Sequence, residues 1–105
     1  MVEPKIILPK ELIIDFCQRW KITEFALFGS VLRDDFRPDS DIDVLVQFAP
    51  GAPWTLLDHV EMQDELAAML GRNVDLVSRR GIERSRNKIR RKAILESAEV
   101  FYAAA

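Results

Sequence analysis

Three aspartates and one Gly-Ser pair carry the chemistry in this chain. Asp41 and Asp43 fall in a run where Ile42, Val44, Val46 and Phe48 share one face, and Asp41, Asp43, Leu45 and Gln47 share the other. A period of two marks a strand, and at a rise of roughly 3.3 Å per residue the two carboxylates leave one face about 7 Å apart at the backbone. Aspartate is a poor strand former and like charges on one face repel, so the pair calls for a cation. Hard divalent ions such as Mg²⁺ take oxygen ligands, usually one or two carboxylates completed by water and substrate phosphate oxygens. Asp75, flanked by Val74 and Leu76 on a further predicted strand, supplies a third carboxylate if the two strands are neighbours. Three carboxylates converging on a sheet face suit two-metal phosphoryl or nucleotidyl transfer.

Gly29-Ser30 ends the apolar run Phe25-Ala26-Leu27-Phe28. Such a turn holds an anion, because glycine lets the backbone approach, the free amides point outward and the hydroxyl donates. Ten residues separate it from Asp41, with Arg33 and Arg37 in between as candidates to neutralise a triphosphate; the sequence does not choose between them. A calcium loop starting at Asp39 is excluded, since it needs glycine at 44 and glutamate at 50, where the chain has Val44 and Pro50.

The elements that must position these groups follow from periodicity. Leu12, Ile13, Phe16, Cys17 and Trp20 predict an amphipathic helix over about 9–20, beginning near Pro9. Phe25–Phe28 predicts a buried strand, followed by a helical turn over Val31–Arg33 capped by Ser30 and a polar loop from Asp34 to Ser40. After Pro50-Gly51-Ala52-Pro53, the residues Leu56, Leu57, Val60, Ala67 and Leu70 predict a helix ended by Gly71. Asn73–Ser78 predicts a third strand, with Val74 and Leu76 facing one way and Asp75 and Val77 the other. Gly81 is read as a break, and Ile89, Ala93, Ile94, Ala98 and Phe101 as the stripe of a closing helix. This order predicts an α/β layer domain, a small mixed three-stranded sheet packed with helices, spanning 1–105 as a single domain.

Composition bounds the rest. The chain has 105 residues, 49% hydrophobic and 30% charged, which suffices for one core. No apolar run approaches the roughly 20 residues of a bilayer span, and the amino terminus lacks the pattern of a secretory signal, so a cytoplasmic protein is expected. A lone Cys17 forms no internal disulfide, and His59 has no second histidine with which to build a zinc site. His59 is expected on the surface or facing a partner, and Trp54 as a packing cap beside Pro53. Net charge is -2, yet residues 1–78 carry 7 basic and 14 acidic side chains, whereas residues 79–105 carry 8 basic and 3 acidic. The basic segment serves a solvated helix face, phosphates, RNA or an acidic protein surface.

The segment Phe28-Gly29-Ser30-Val31-Leu32-Arg33, continuing through Ser40-Asp41-Ile42-Asp43-Val44-Leu45-Val46, closely resembles the signature of the polymerase-beta-like nucleotidyltransferase superfamily. Small size, Asn73-Val74-Asp75-Leu76-Val77 and the ending Ile89-Arg90-Arg91-Lys92-Ala93-Ile94-Leu95 resemble its minimal nucleotidyltransferase (MNT) branch. That resemblance implies the nucleotidyltransferase fold and, typically, a prokaryotic antitoxin paired with a HEPN-domain RNase toxin. It further implies Mg²⁺-dependent transfer of AMP from ATP to a toxin tyrosine. Position by position, Gly29 and Ser30 would hold nucleotide phosphates, Asp41 and Asp43 would bind Mg²⁺, and Asp75 would complete the metal site and help deprotonate the attacking hydroxyl. Many relatives have glycine where this chain has Asp34, an added negative charge near the triphosphate. Direct nucleic-acid binding is not expected, and the HEPN arginine-to-histidine motif is absent upstream of His59, so the toxin is expected on a separate chain. Two other readings stand beside this one: an antitoxin acting mainly by stoichiometric binding, and a small-molecule nucleotidyltransferase. The second of these generally needs an acceptor domain for which 105 residues leave no room.

Overall fold

The computed structural model describes residues 8–33, 36–37 and 40–104. The chain runs α1 (Lys10–Arg19), β1 (Ile22–Phe28), a 3-10 turn (Gly29–Leu32), β2 (Ile42–Phe48), α2 (Leu56–Leu70), β3 (Val74–Ser78), α3 (Arg79–Glu83), α4 (Lys88–Ser97) and β4 (Glu99–Ala103). One mixed sheet results, in the order β3-β2-β1-β4. The β2–β3 pair is parallel, as a helical crossover through α2 requires, and both neighbours of β1 are antiparallel to it.

The alternation in β2 is realised as two cores. Ile42, Val44 and Val46 join Phe25, Leu27, Val74 and Leu76 beneath Ile13, Phe16 and Cys17 of α1 and Met62 and Leu66 of α2. Leu45, on the face that carries Asp43, is buried with Ala26 and Phe28 under Ile82 of α3 and Ile94 of α4. The aspartates therefore stand at the edge of a second, smaller core instead of on an open sheet face. Local signals set the ends of α2: Thr55 and Asp58 form a capping box, and Gly71 closes the helix in the left-handed region at φ 67°.

The sheet has four strands where three were expected. Glu99–Ala103 forms β4 on the free edge of β1, with Phe25 opposite Tyr102 and Leu27 opposite Glu99. The spacing of Phe101 from Ala98 mimics a helical stripe, yet the helix stops at Ala98, whose backbone is extended. Val100, Phe101 and Tyr102 favour extended backbone, and β1 offers them an unpaired row of N–H and C=O groups. Phe101 then packs edge-on against Phe25, with ring centroids 6.3 Å apart. Ile89, read as part of the same stripe, is 84% exposed. Gly81 does not break the chain, because Ser78 Oγ accepts from its N–H at 3.0 Å and it sits inside α3.

Candidate active site

The strand register brings the expected carboxylates into one row. Phe28 at the end of β1 lies opposite Asp43 of β2, and Asp43 lies opposite Asp75 of β3. Asp41 immediately precedes β2 and is exposed, as is Asp75, whereas Asp43 is half-buried. Burial pushes the Asp43 carboxyl above the usual range, and the charges of Asp75 and Asp41 push it the same way. Arg33 and Arg90 act against that shift. Three like charges sharing one neighbourhood, with only cations to relieve them, constitute an electrostatic demand for further positive charge.

Gly29 closes the row on the β1 side. Its φ is +76°, in the region that favours glycine, and a Cβ built there falls against Asp43 Oδ2 and 3.1 Å from Asp43 Cγ. Glycine is thus demanded twice at this position, by the turn and by the carboxylate beside it. The chain continues directly into the 3-10 turn, anchored by the fully buried Val31. Ser30 lies within this turn and makes no capping bond; Phe28 takes the cap position, and Ser30 contributes its carbonyl to the Arg33 N–H at 2.9 Å.

Arg33 and Arg37 are placed differently. Arg33 is an electrostatic neighbour of Asp43 and lines a cavity with Gly29. Arg37 contributes backbone: its N–H donates to Ser40 Oγ at 3.0 Å and its carbonyl accepts from Arg72 Nη1 at 3.1 Å. The same Arg72 guanidinium lies over the Phe36 ring at 4.7 Å and reaches the Ser40 carbonyl at 3.5 Å. Arg72 therefore holds the segment that leads into Asp41, a positioning role with no sequence signal beyond its place after Gly71. Asp34 and Asp39, read in the same loop, lie outside the described residues.

An oxygen-only set of two or three carboxylates beside a backbone turn fits Mg²⁺. Among the described residues no group of three His, Cys, Asp or Glu is arranged to cage a metal. Mg²⁺ keeps several waters and binds through one or two carboxylates plus substrate phosphates, so two of these aspartates are enough to hold it.

The other candidates are structural. His59 is half-buried with Nε2 2.7 Å from the Leu76 carbonyl, tying α2 to β3, a bond not anticipated for a residue expected on the surface or facing a partner. Trp54 packs edge-on against Trp20 and donates to the Trp20 carbonyl at 2.6 Å, the packing cap its position suggested. Cys17 is fully buried, and burial pushes its thiol up to about 12. A larger cleft of about 750 Å³ opens at the opposite end of β2, between Phe48, Trp54, Leu56 and Arg80, and holds none of the aspartates. It lies away from the Gly29 turn and the aspartate row.

Comparison with known proteins bears on the family and the fold. Residues 9–100 match the model of the nucleotidyltransferase domain. Protein adenylyltransferase MntA of Thermococcus cleftensis is 38% identical over 66 residues, which cover 63% of this chain and 65% of the relative, just under two thirds of its length. A solved chain assigned as a minimal nucleotidyltransferase superposes with a TM-score of 0.65 at 38% identity, over 86% of each chain. A chain from the complex of a tri-AMPylated Shewanella oneidensis HEPN toxin with an MNT antitoxin shares the fold, with a TM-score of 0.62 at 24% identity, over 90% of this chain and 70% of that one. With the signature turn, the aspartate row and the sheet order all in place, the chain belongs to the nucleotidyltransferase domain family.

Proposed function

We propose that this chain transfers an adenylyl group from ATP to a tyrosine hydroxyl of a separate HEPN-domain toxin, and so acts as an antitoxin. The row Asp75–Asp43–Gly29, with Asp41 beside it, carries the reading. It supplies oxygen ligands at one end of the sheet and, next to them, a backbone turn open to phosphate. The name of the Thermococcus cleftensis relative supports a protein acceptor, and the HEPN complex among the structural neighbours supports the kind of partner.

In this reading Asp41 and Asp43 hold Mg²⁺ and Asp75 completes the set. The ion, when bound, supplies Lewis-acid polarisation and offsets charge on the phosphates. The chain's own groups do the rest. Gly29 and Ser30 present backbone amides and a hydroxyl to the phosphates, and Arg33 lends positive charge from the same turn. Asp75 accepts the proton of the tyrosine hydroxyl, whose oxygen keeps the electron pair and attacks the α-phosphorus. The bond from that phosphorus to the bridging oxygen breaks, and pyrophosphate leaves with the electron pair. Among the described residues no helix is long and apolar enough to cross a membrane, and the reading places the reaction in the cytoplasm, where ATP is available.

The test is incorporation of labelled adenylate from ATP and Mg²⁺ into a HEPN-domain protein that binds this chain. Parent chain should label the partner, and Asp41→Asn/Asp43→Asn should abolish labelling. Equal labelling by both would remove the aspartates from the mechanism.

A further inference from the structure

The eight cations of the last quarter of the chain are indistinguishable by composition, but the fold separates them. A cavity of about 420 Å³ lies between the Gly29–Leu32 turn and α4, on the β4 side of the aspartate row. Gly29 and Arg33 form one wall, Arg90 of α4 another, and Glu96, Ser97 and Glu99 the rest of the rim. Phe28 and Ile94 supply apolar surface. Of the tail's basic residues only Arg90 lines this space; Arg86, Lys88 and Lys92 are exposed away from it, and Arg91 donates to the Glu83 carbonyl at 3.3 Å.

We infer that Arg90 is a nucleotide-binding residue, which with Arg33 receives the terminal phosphates of ATP in this cavity and holds them as pyrophosphate when they leave. The inference rests on the nucleotidyl-transfer reading and adds to it a residue from the helix that covers the Asp43 face of the sheet. Gly29 belongs both to the cavity and to the aspartate row, so a phosphate chain whose α-phosphorus stands at Asp43 enters the cavity directly past the glycine. The volume falls within the range of small-ligand sites. Glu96 and Glu99 repel phosphate, so the phosphates keep to the Arg33–Arg90 side. A planar guanidinium suits this task because it offers two parallel donors to phosphate oxygens.

Calorimetric titration of the full chain with ATP and with inorganic pyrophosphate, each with Mg²⁺, tests the inference. Arg90→Gln should weaken both ligands about tenfold or more, the usual worth of a charge-assisted hydrogen bond. Arg90→Lys should recover part of the loss, and Lys92→Gln, the same charge change on the same helix outside the cavity, should bind like the parent. Unchanged binding by Arg90→Gln would overturn the inference while leaving the transfer reading intact. Equal weakening in Arg90→Gln and Lys92→Gln would overturn it in favour of a long-range field. Weakened ATP with unchanged pyrophosphate would overturn the assignment to the terminal phosphates. A parent chain that takes no ATP at all would defeat both readings together. Arg90 is exposed, so thermal unfolding of each variant should match the parent and exclude misfolding as the cause.

Discussion

Replacing Gly29 by alanine separates backbone strain from contact with the aspartate row. At φ +76° an alanine costs about 1–2 kcal/mol on conformation alone. Its Cβ also falls against Asp43 Oδ2 and 3.1 Å from Cγ, so the carboxylate must rotate aside. Displacing a side chain from its rotamer costs about 0.5–1.5 kcal/mol more. In an Asp43→Ala background those two atoms are gone and the remaining neighbour, the Asp43 Cβ at 3.4 Å, is an ordinary contact. Urea denaturation should therefore show a penalty of about 1.5–3.5 kcal/mol for Gly29→Ala in the parent, falling to about 1–2 kcal/mol with Asp43→Ala present, at unchanged m-value. Gly29→Ala should lower transfer toward the level of Asp43→Ala, because it turns the carboxylate out of the row. Identical penalties in both backgrounds would refute the close approach of the Asp43 carboxylate to this turn.

Three further outcomes follow from the packing. Ile94→Ala removes a 5% exposed side chain from the core beneath α4 and should cost about 2–5 kcal/mol, read as a lower urea midpoint; a change below 1 kcal/mol, by the same principle, would mean that α4 does not seal that face. Glu65 accepts from Arg19, which holds its carboxyl below the ordinary range, and Trp20 Nε1 donates to it at 3.1 Å. A depressed folded pKa contributes stability above the unfolded value of about 4.3 and loses it as pH falls through the folded value. The Tm gap between parent and Glu65→Gln should accordingly be full at neutral pH and close in acid; a gap independent of pH would contradict the pairing. Cys17, buried with its thiol pushed to about 12, should react with a disulfide reagent at mildly alkaline pH only as fast as the chain unfolds. Rapid labelling of the folded protein would show that α1 does not cover it.

How much of this was legible in the sequence varies by element. The alternation over Asp41–Phe48 identified both faces of β2, because each face meets a core and the strand's polar residues, Asp43 and Gln47, sit near its two ends. Gly71 could be read as a helix end because a left-handed residue there is a local requirement. The β4 strand was hidden, since its stability comes from pairing with β1, more than 70 positions earlier, and five residues are too few to show their own period. The bond of His59 was not legible because its partner is a backbone carbonyl of β3 that no side-chain pattern announces. The aspartate row was anticipated up to the condition that β2 and β3 be neighbours, which the parallel register meets. Choosing Arg33 over Arg37 needed the 3-10 turn, and singling out Arg90 needed the docking of α4 across the sheet; both depend on tertiary geometry.

The most direct measurement is the fate of the two ends of ATP. The HEPN-domain partner would be incubated with this chain, Mg²⁺ and ATP carrying radiolabel at either the α- or the γ-phosphorus, and its tyrosine-containing peptides would then be counted. The account predicts α-label on the peptide, γ-label released as pyrophosphate, and neither on the peptide with Asp41→Asn/Asp43→Asn. Label from the γ-phosphorus on the partner would make the chain a kinase, and a neutralised partner carrying neither label would make it a stoichiometric inhibitor; either result would contradict adenylyl transfer at the Asp75–Asp43–Gly29 row.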